Sequence, residues 1–351
     1  MDGLKNVLLK NPLGGNKIKF IITSDLHLTN RPRDEYRWEI FPFLKKQIQL
    51  RGVGAVFILG DITDSKDHHP NDFINRVVDN LREVAELCPV LMLAGNHDSI
   101  NPTVPLLRFL NSSPIRFFCQ PESIELGGYT ILMMPNQKHQ VTLTKLLNQY
   151  KADEHDFVLL HQTFSGSLAA NGVALQGIDP DSLKSLSTKY ISGDVHVPQQ
   201  IGRVIYCGSP HPIHFGDTFK PRVLFWDGND LTSIPRTTTK KMVLEINDPS
   251  DLEKIDELDV NDQVKVILTL PKDRYGEWEE ARVSIEEAAK NKGWILSSIE
   301  LQSSEGNPKL KGRPTIVTKP NEVYENFCSL NLISPQLTKF GGRILNDSLG
   351  I

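Results

Sequence analysis

Val56-Phe57-Ile58-Leu59-Gly60-Asp61-Ile62-Thr63-Asp64 carries four apolar residues straight into a turn that bears carboxylates. The apolar run, stopped by glycine, reads as a short strand. Downstream, Phe73, Val77, Val78, Leu81, Val84 and Leu87 recur at helical spacing, and Val90-Leu91-Met92-Leu93 then leads into Gly95-Asn96-His97-Asp98. The segment is therefore a strand–helix–strand unit. Upstream, Phe20-Ile21-Ile22 leads in the same way into Asp25-Leu26-His27. In such sheets ligand-binding residues collect on the loops beyond the carboxyl ends of the strands, which is where Asp25, Asp61 and Asn96 fall.

Further along, strand–turn–strand patterns take over: Tyr129 to Met134, Phe157 to Leu160, Tyr190 to Ile191, Val204 to Tyr206 and Val223 to Trp226. These predict an α+β protein, a mixed sheet sandwich with flanking helices. The polar stretch Thr237-Thr238-Thr239-Lys240-Lys241 suggests a boundary. Beyond it Met242 to Ile246, Val264 to Leu270 and Trp294 to Ile299 read as strands. Tyr275 to Lys292 reads as a helix with Trp278, Ala281, Ile285 and Ala288 on one face and Gly293 as its stop. The expected organisation is a lead-in over 1–16, a main domain over 17–236, a small α+β module over 237–306, and a linker and helical tail over 307–351. There is no internal repeat and no low-complexity tract.

Two more motifs complete a series: Leu160-His161-Gln162 and Gly193-Asp194-Val195-His196. The five motifs together supply carboxylates, imidazoles and one carboxamide. That mixture suits a pair of divalent ions activating water against a phosphate ester. Asp25 and His27, two apart where a strand turns into a loop, can face one ion, and Asp61 has two oxygens with which to bridge two. Asn96 offers a carbonyl oxygen, and His161 and His196 offer ring nitrogens. Hard oxygens mixed with imidazole suit manganese, iron or zinc better than calcium. His97, beside Asn96, can stand outside the metal shell and donate a proton to the leaving oxygen.

Composition narrows the field. The chain has 351 residues, long enough for one large domain plus a smaller one. Lys and Arg number 39 against 43 Asp and Glu, a net charge of −4 that gives no general nucleic-acid signature. Cys88, Cys119, Cys207 and Cys328 form no CxxC pair and no zinc spacing, so reduced thiols in a cytoplasmic protein are expected. No signal-like segment and no run near the roughly 20 apolar residues of a membrane span is present, so the expected protein is intracellular and soluble.

The five motifs in this order resemble the calcineurin-like metallophosphoesterase superfamily over about residues 17–236. That resemblance implies a four-layer αββα sandwich. A narrower resemblance, to SbcD-type nucleases, rests on Ser24-Asp25-Leu26-His27-Leu28, Gly60 to Asp64, Leu159-Leu160-His161-Gln162 and Val195-His196-Val197-Pro198-Gln199. Tyr206-Cys207-Gly208-Ser209-Pro210 and Phe215-Gly216-Asp217 add to it. It implies manganese-dependent cutting of DNA, a homodimer, an SbcC-like ATPase partner in DNA repair or recombination, and a capping domain in the C-terminal module. It also implies Asp25, His27, Asp61 and His196 around one metal, and Asp61, Asn96, His161 and residue 194 around the other. Asp194 departs from the Gly-His-x-His usual there. It either remains a ligand, making that site more anionic, or faces solvent and leaves the second metal weakly held; the ligand reading is preferred.

Other residues carry blander expectations. Asp64 supports its loop or orients a ligand, and His68 and His69 lie in a solvated turn. His211 and His214 flank the Gly208-Ser209-Pro210 turn and could approach substrate. Arg31, Arg33 and Arg37 follow the first motif and are better placed for phosphate than Lys309, Lys311 and Arg313. Phe327 and its apolar neighbours could bind a partner's coiled coil or dock on this chain. The leading function is a dinuclear-metal DNA nuclease. A phosphatase or small-molecule phosphodiesterase is the alternative, because the same centre serves each. A scaffold lacking its second metal is the third, and the intact His97 argues against it.

Overall fold

The computed structural model describes residues 17–98, 105–112, 114–183 and 185–304. The expected lead-in and the 307–351 tail, with Lys309, Lys311, Arg313 and Phe327, lie outside the described residues. The chain divides into two units, Met1–Thr269 with Gly276–Gln302, and Leu270–Tyr275 with Ser303–Ile351. Within the second, the Ser304 N–H donates to the Leu270 carbonyl at 3.0 Å. Every element that carries the candidate site lies in the first.

The first half runs β1 (Phe20–Thr23), α1 (Ile40–Arg51), β2 (Ala55–Ile58), α2 (Asn71–Ala85), β3 (Val90–Leu93), β4 (Ile115–Phe118), β5 (Glu122–Leu126) and β6 (Tyr129–Met134). It continues with α3 (Gln140–Gln149), β7 (Phe157–His161), β8 (Lys189–Gly193), β9 (Gln199–Ile201), β10 (Val204–Tyr206), β11 (Arg222–Trp226) and β12 (Leu231–Pro235). One six-stranded sheet has the order β12-β11-β1-β2-β3-β4 and the other β5-β6-β7-β8-β10-β9. Strands β1 to β4 pair in parallel, as do β6, β7, β8 and β10. Antiparallel strands close the edges.

Alternation along the strands builds the layers. Phe20, Ile22, Phe57, Leu59, Leu91 and Leu93 pack with Ile131, Met133, Phe157, Leu159 and Ile191 between the sheets. Their neighbours Ile21, Val56, Ile58, Val90 and Met92 pack outward onto Leu44 and Ile48 of α1 and Val77 and Leu81 of α2. On the far side, Leu132, Val158, Leu160 and Tyr190 cluster with Leu143 and Leu147 of α3. The result is a four-layer α/β sandwich. Its central strands are buried on both faces, so they read as continuous apolar runs rather than alternating ones. Each such side chain contributes about 1.5–3 kcal/mol of burial. Leu87 falls past the end of α2 and is 40 % exposed, outside the face its spacing suggested.

Residues 241–303 form a separate three-stranded sheet, β13 (Lys241–Ile246), β14 (Gln263–Leu270) and β15 (Ile295–Ser303), with α4 (Trp278–Lys292) between the last two strands. Gly293 ends α4 in the left-handed conformation, φ 71°. The buried residues of α4 are Ile285 and Ala289, so its inward face lies one residue beyond the expected Ala288. Lys241, at the head of β13, is buried against Asp34, with Nζ 3.2 Å from Oδ1. No helix among the described residues is long and apolar enough to cross a membrane.

Candidate metal centre

Parallel strands put all their carboxyl ends on one side, so the loops after β1, β2, β3, β7 and β8 meet there. The first two loops continue as a paired ribbon past their strands. Asp25 N–H donates to the Gly60 carbonyl (3.1 Å), His27 N–H to that of Asp61 (2.9 Å) and Leu28 N–H to that of Ile62 (3.0 Å). Backbone strain concentrates in these turns. Asp25 (φ 54°), His27 (φ 41°), Asp61 (φ 50°) and Asp194 (φ 80°) are all left-handed. Non-glycine residues hold that conformation only where the surroundings over-determine it, often at functional sites. Gly60 (φ 86°) precedes Asp61, and a Cβ there would stand 2.5 Å from His161 Nδ1. The close approach of the two sheets thus requires glycine.

Asp25, His27, Asp61, Asn96, His161, Asp194 and His196 come together across this cleft. His161 Nε2 lies 2.9 Å from Asn96 Oδ1, 3.3 Å from Asp61 Oδ1 and 3.6 Å from Asp194 Oδ1. His27 Nε2 is 3.5 Å from Asp61 Oδ2. The His27 ring is 5.0 Å from that of His196, and the Asp194 N–H donates to Asp25 Oδ1 at 3.1 Å. Asp194 turns one carboxylate oxygen to His161 and accepts from Thr163 Oγ1 with the other. Three overlapping groups have ligand atoms close enough together for one ion: Asp25, His27 and His196; His27, Asp61 and His97; and Asp25, Asp61 and His161.

The donors fit a cation. His161 Nδ1 lies 2.5 Å from the Leu59 carbonyl and must donate to it, so the neutral ring turns the Nε2 lone pair toward further acceptors. The Asn96 carboxamide oxygen likewise faces acceptors, within 3.2–3.3 Å of the Asp61 and Asp194 carboxylates. Only a positive charge among them, or an amide turned by half a rotation, relieves that arrangement. His27 is 3 % exposed, and neither of its ring nitrogens has a hydrogen-bond partner. Buried polar atoms without partners are costly, and metal ligation would satisfy one of them.

Without metal, protons serve that purpose. Burial disfavours a charged His161, but Asp61, Asp194 and Asp25 push its pKa well above 6.5. Burial likewise opposes charge on His27, which Asp64 and Asp61 overcome in raising it. Burial pushes Asp25 up to about 6, and does the same to Asp98 with help from Asp61. Asp61 resists burial because His161 and His27 hold it well below the usual carboxylate range. Burial, with His27 and His214 beside it, drives His196 down to about 3.

A stability profile follows for the metal-free chain. Histidines with a raised folded pKa contribute stability that is complete below pH 6.5 and is lost as pH rises through their folded pKa. His196 and His211, held neutral by burial, act with the opposite sign, but only below pH 6.5. Asp25 and Asp98 have largely titrated by then. In chelator, the free energy of unfolding should therefore fall from pH 6.5 toward 9, by up to about 1.4 kcal/mol per pH unit for each retained proton, and the unfolding temperature with it. Divalent metal should restore an amount that grows with pH. A metal-free protein that becomes more stable across that window would contradict the protonation scheme.

Several residues brace the site. Asp98, fully buried, accepts from Ile62 N–H (2.9 Å) and Gly95 N–H (2.8 Å), tying the second and third loops together. It ends the Gly95–Asp98 motif, so its presence was visible in the sequence although its role was not. Arg37, expected near phosphate, is instead buried; it donates to the His27 carbonyl and pairs with Asp34 (3.3 Å) and Asp64 (3.6 Å). His211 is buried, with Nε2 2.8 Å from the Leu26 carbonyl, so it supports the first loop from behind. His214 is exposed and stacks on His196 at 5.6 Å. The Asp64 carbonyl accepts from His97 Nδ1 at 2.7 Å, and its carboxylate lies 3.5 Å from His27 Nδ1.

An αββα sandwich with carboxylates, imidazoles and a carboxamide on adjoining strand ends defines a metal-dependent phosphoesterase. Residues 18–198, more than half of the chain, match the calcineurin-like phosphoesterase family, and the chain belongs to it. Among solved structures, a dimetal phosphatase from Danio rerio is similar at 11 % identity and a TM-score of 0.42, covering 63 % of this chain and 96 % of its own. No curated protein matches the chain.

Proposed function

We propose that this phosphoesterase is a dinuclear-metal DNA nuclease, an SbcD-like subunit that works with an SbcC-like ATPase in DNA repair or recombination. The observation that carries the hydrolytic part is the meeting, from five strand ends, of seven side chains whose oxygen and imidazole donors suit a metal. Asp25, His27, Asp61 and His196 would hold one ion, and Asp61, Asn96, His161 and Asp194 the other. Lewis acidity toward water and toward the phosphate is what such a pair supplies when bound, and manganese suits the mixed oxygen and imidazole set.

The chain's own residues set the rest. Asp98 and Arg37 fix the loops that carry Asp61, Asn96 and His27. His97 donates Nδ1–H to the Asp64 carbonyl, which leaves Nε2 free to face the leaving oxygen; as the imidazolium the ring would give up its Nε2 proton there and become neutral. The nuclease assignment is supported by the SbcD-like segments at 24–28, 60–64, 159–162, 195–199, 206–210 and 215–217. It is supported too by a separate α+β sheet whose first strand is anchored on Asp34, a module suited to capping the site and selecting DNA. Working as a cytoplasmic homodimer and borrowing DNA affinity from a partner agrees with a net charge of −4.

The test is incubation of the protein and manganese with end-labelled linear DNA, beside a generic phosphate ester. Metal-dependent DNA degradation is the expected result. Ester hydrolysis with DNA left intact, even after a candidate ATPase is added, would favour a phosphatase or small-molecule phosphodiesterase.

A further inference from the structure

A cavity of about 250 Å³ opens beside the metal centre, lined among others by Leu28, Arg31, Asp64, His68, His69 and Phe73. The two histidines and Arg31, separated in sequence by nearly forty residues, thus share one concavity. Leu28 and Phe73, both almost wholly buried, supply its apolar lining. The His69 ring stacks on that of Phe73 at 5.3 Å with an interplanar angle of 16°. His68 is held in the left-handed conformation, φ 55°. The cavity joins the reaction centre through Asp64, whose Oδ1 is 3.5 Å from His27 Nδ1 and whose Oδ2 is 3.7 Å from the half-exposed Arg31 guanidinium.

These groups select among ligands. A bare phosphate would use Arg31 but has no need of an apolar lining and a stacked ring pair. A flat heterocycle does, because every base offers a π-face to a stacking side chain. The volume lies just below the range of roughly 300–1,000 Å³ that encloses a drug-sized molecule, which suits one ring system and not a peptide or a second domain. The planar cation at the rim is placed for the phosphate attached to such a ring.

We propose that this cavity is a subsite for the nucleoside next to the scissile phosphate, with the His69 ring, backed by Phe73, stacking the base and Arg31 steering the phosphate. The inference rests on the phosphodiester reading above and deepens it, since it makes nucleic acid the substrate class.

The experiment is calorimetric titration of the manganese-loaded full chain with thymidine 5′-monophosphate, thymidine 3′-monophosphate and methyl phosphate, which lacks the nucleoside. At least one thymidylate should bind about tenfold tighter than methyl phosphate, the gain expected of one stacked base. In His69→Ala that ratio should fall toward one with methyl phosphate still bound, whereas Arg31→Ala, which removes a phosphate contact, should weaken the thymidylates and methyl phosphate alike. Equal binding of all three by the wild type overturns the subsite alone, as does a preference that survives His69→Ala. Loss of methyl phosphate binding in His69→Ala also overturns it, because that residue would then be acting on the metal centre. If the wild type binds not even methyl phosphate, the phosphoesterase centre itself is misassigned and the subsite falls with it.

Discussion

Asp61→Ala is expected to lower phosphodiester hydrolysis by at least about 10³-fold, the upper end of what losing a single preorganised electrostatic group costs, and to cost the protein at least one of its two ions. Asp61 is the side chain common to both halves of the cluster. One oxygen is 3.3 Å from His161 Nε2 and the other 3.5 Å from His27 Nε2. It is 2 % exposed and ionised in spite of burial. It also accepts the His97 N–H at 2.8 Å, so alanine frees the third loop as well as removing a ligand. Asp61→Asn separates these effects: the amide oxygen can still accept from His97 while the charge is gone. Elemental analysis should find two ions per chain in the wild type and at most one in either variant. An alanine variant that retains two ions and wild-type turnover would show that Asp61 bridges nothing.

Much of the site was legible because it depends on local order. Each candidate ligand follows an apolar run, and parallel strands must place their ends together, so Asp25, Asp61 and Asn96 could be grouped from sequence alone. His161 and Asp194 could be grouped with them because their strands also end at motifs. What remained hidden depends on contacts between distant segments. Nothing near Arg37 signals that it will be buried between Asp34 and the His27 carbonyl and not face phosphate. The orientation of Asp194 is set by the Thr163 hydroxyl, and that of His211 by the Leu26 carbonyl on another strand end. The turn holding His68 and His69 reads as solvated because polar residues surround it, and His68, its side chain 94 % exposed, is so; only the His69 ring is tucked in. Its apolar partner Phe73 lies one helical turn on, inside α2, where periodicity assigned it to the core alone. The antiparallel joining of β11 to β1 across some two hundred residues is likewise a consequence of sheet closure, which no local pattern encodes.

His97→Ala is expected to retain both ions and to slow turnover by about 10²–10⁴-fold, the usual cost of losing a general acid. The backbone supports this separation of effects. Alanine keeps the main-chain N–H that bonds Asp61, so the ligand's anchor survives the loss of the ring. The ring's own bond, Nδ1 to the Asp64 carbonyl at 2.7 Å, fixes which nitrogen is spoken for and leaves Nε2 for the leaving oxygen. His97 nevertheless stands close to His27, with ring centroids 4.9 Å apart, and its ring shares a possible ion-binding group with His27 and Asp61. Leaving-group dependence distinguishes proton donor from ligand. A p-nitrophenyl ester expels a stable anion and needs little protonation, so the variant should lose far less on it than on DNA, whose alkoxide leaving group does need a proton. Equal losses on both substrates, together with a fall in metal content, would move His97 into the metal shell.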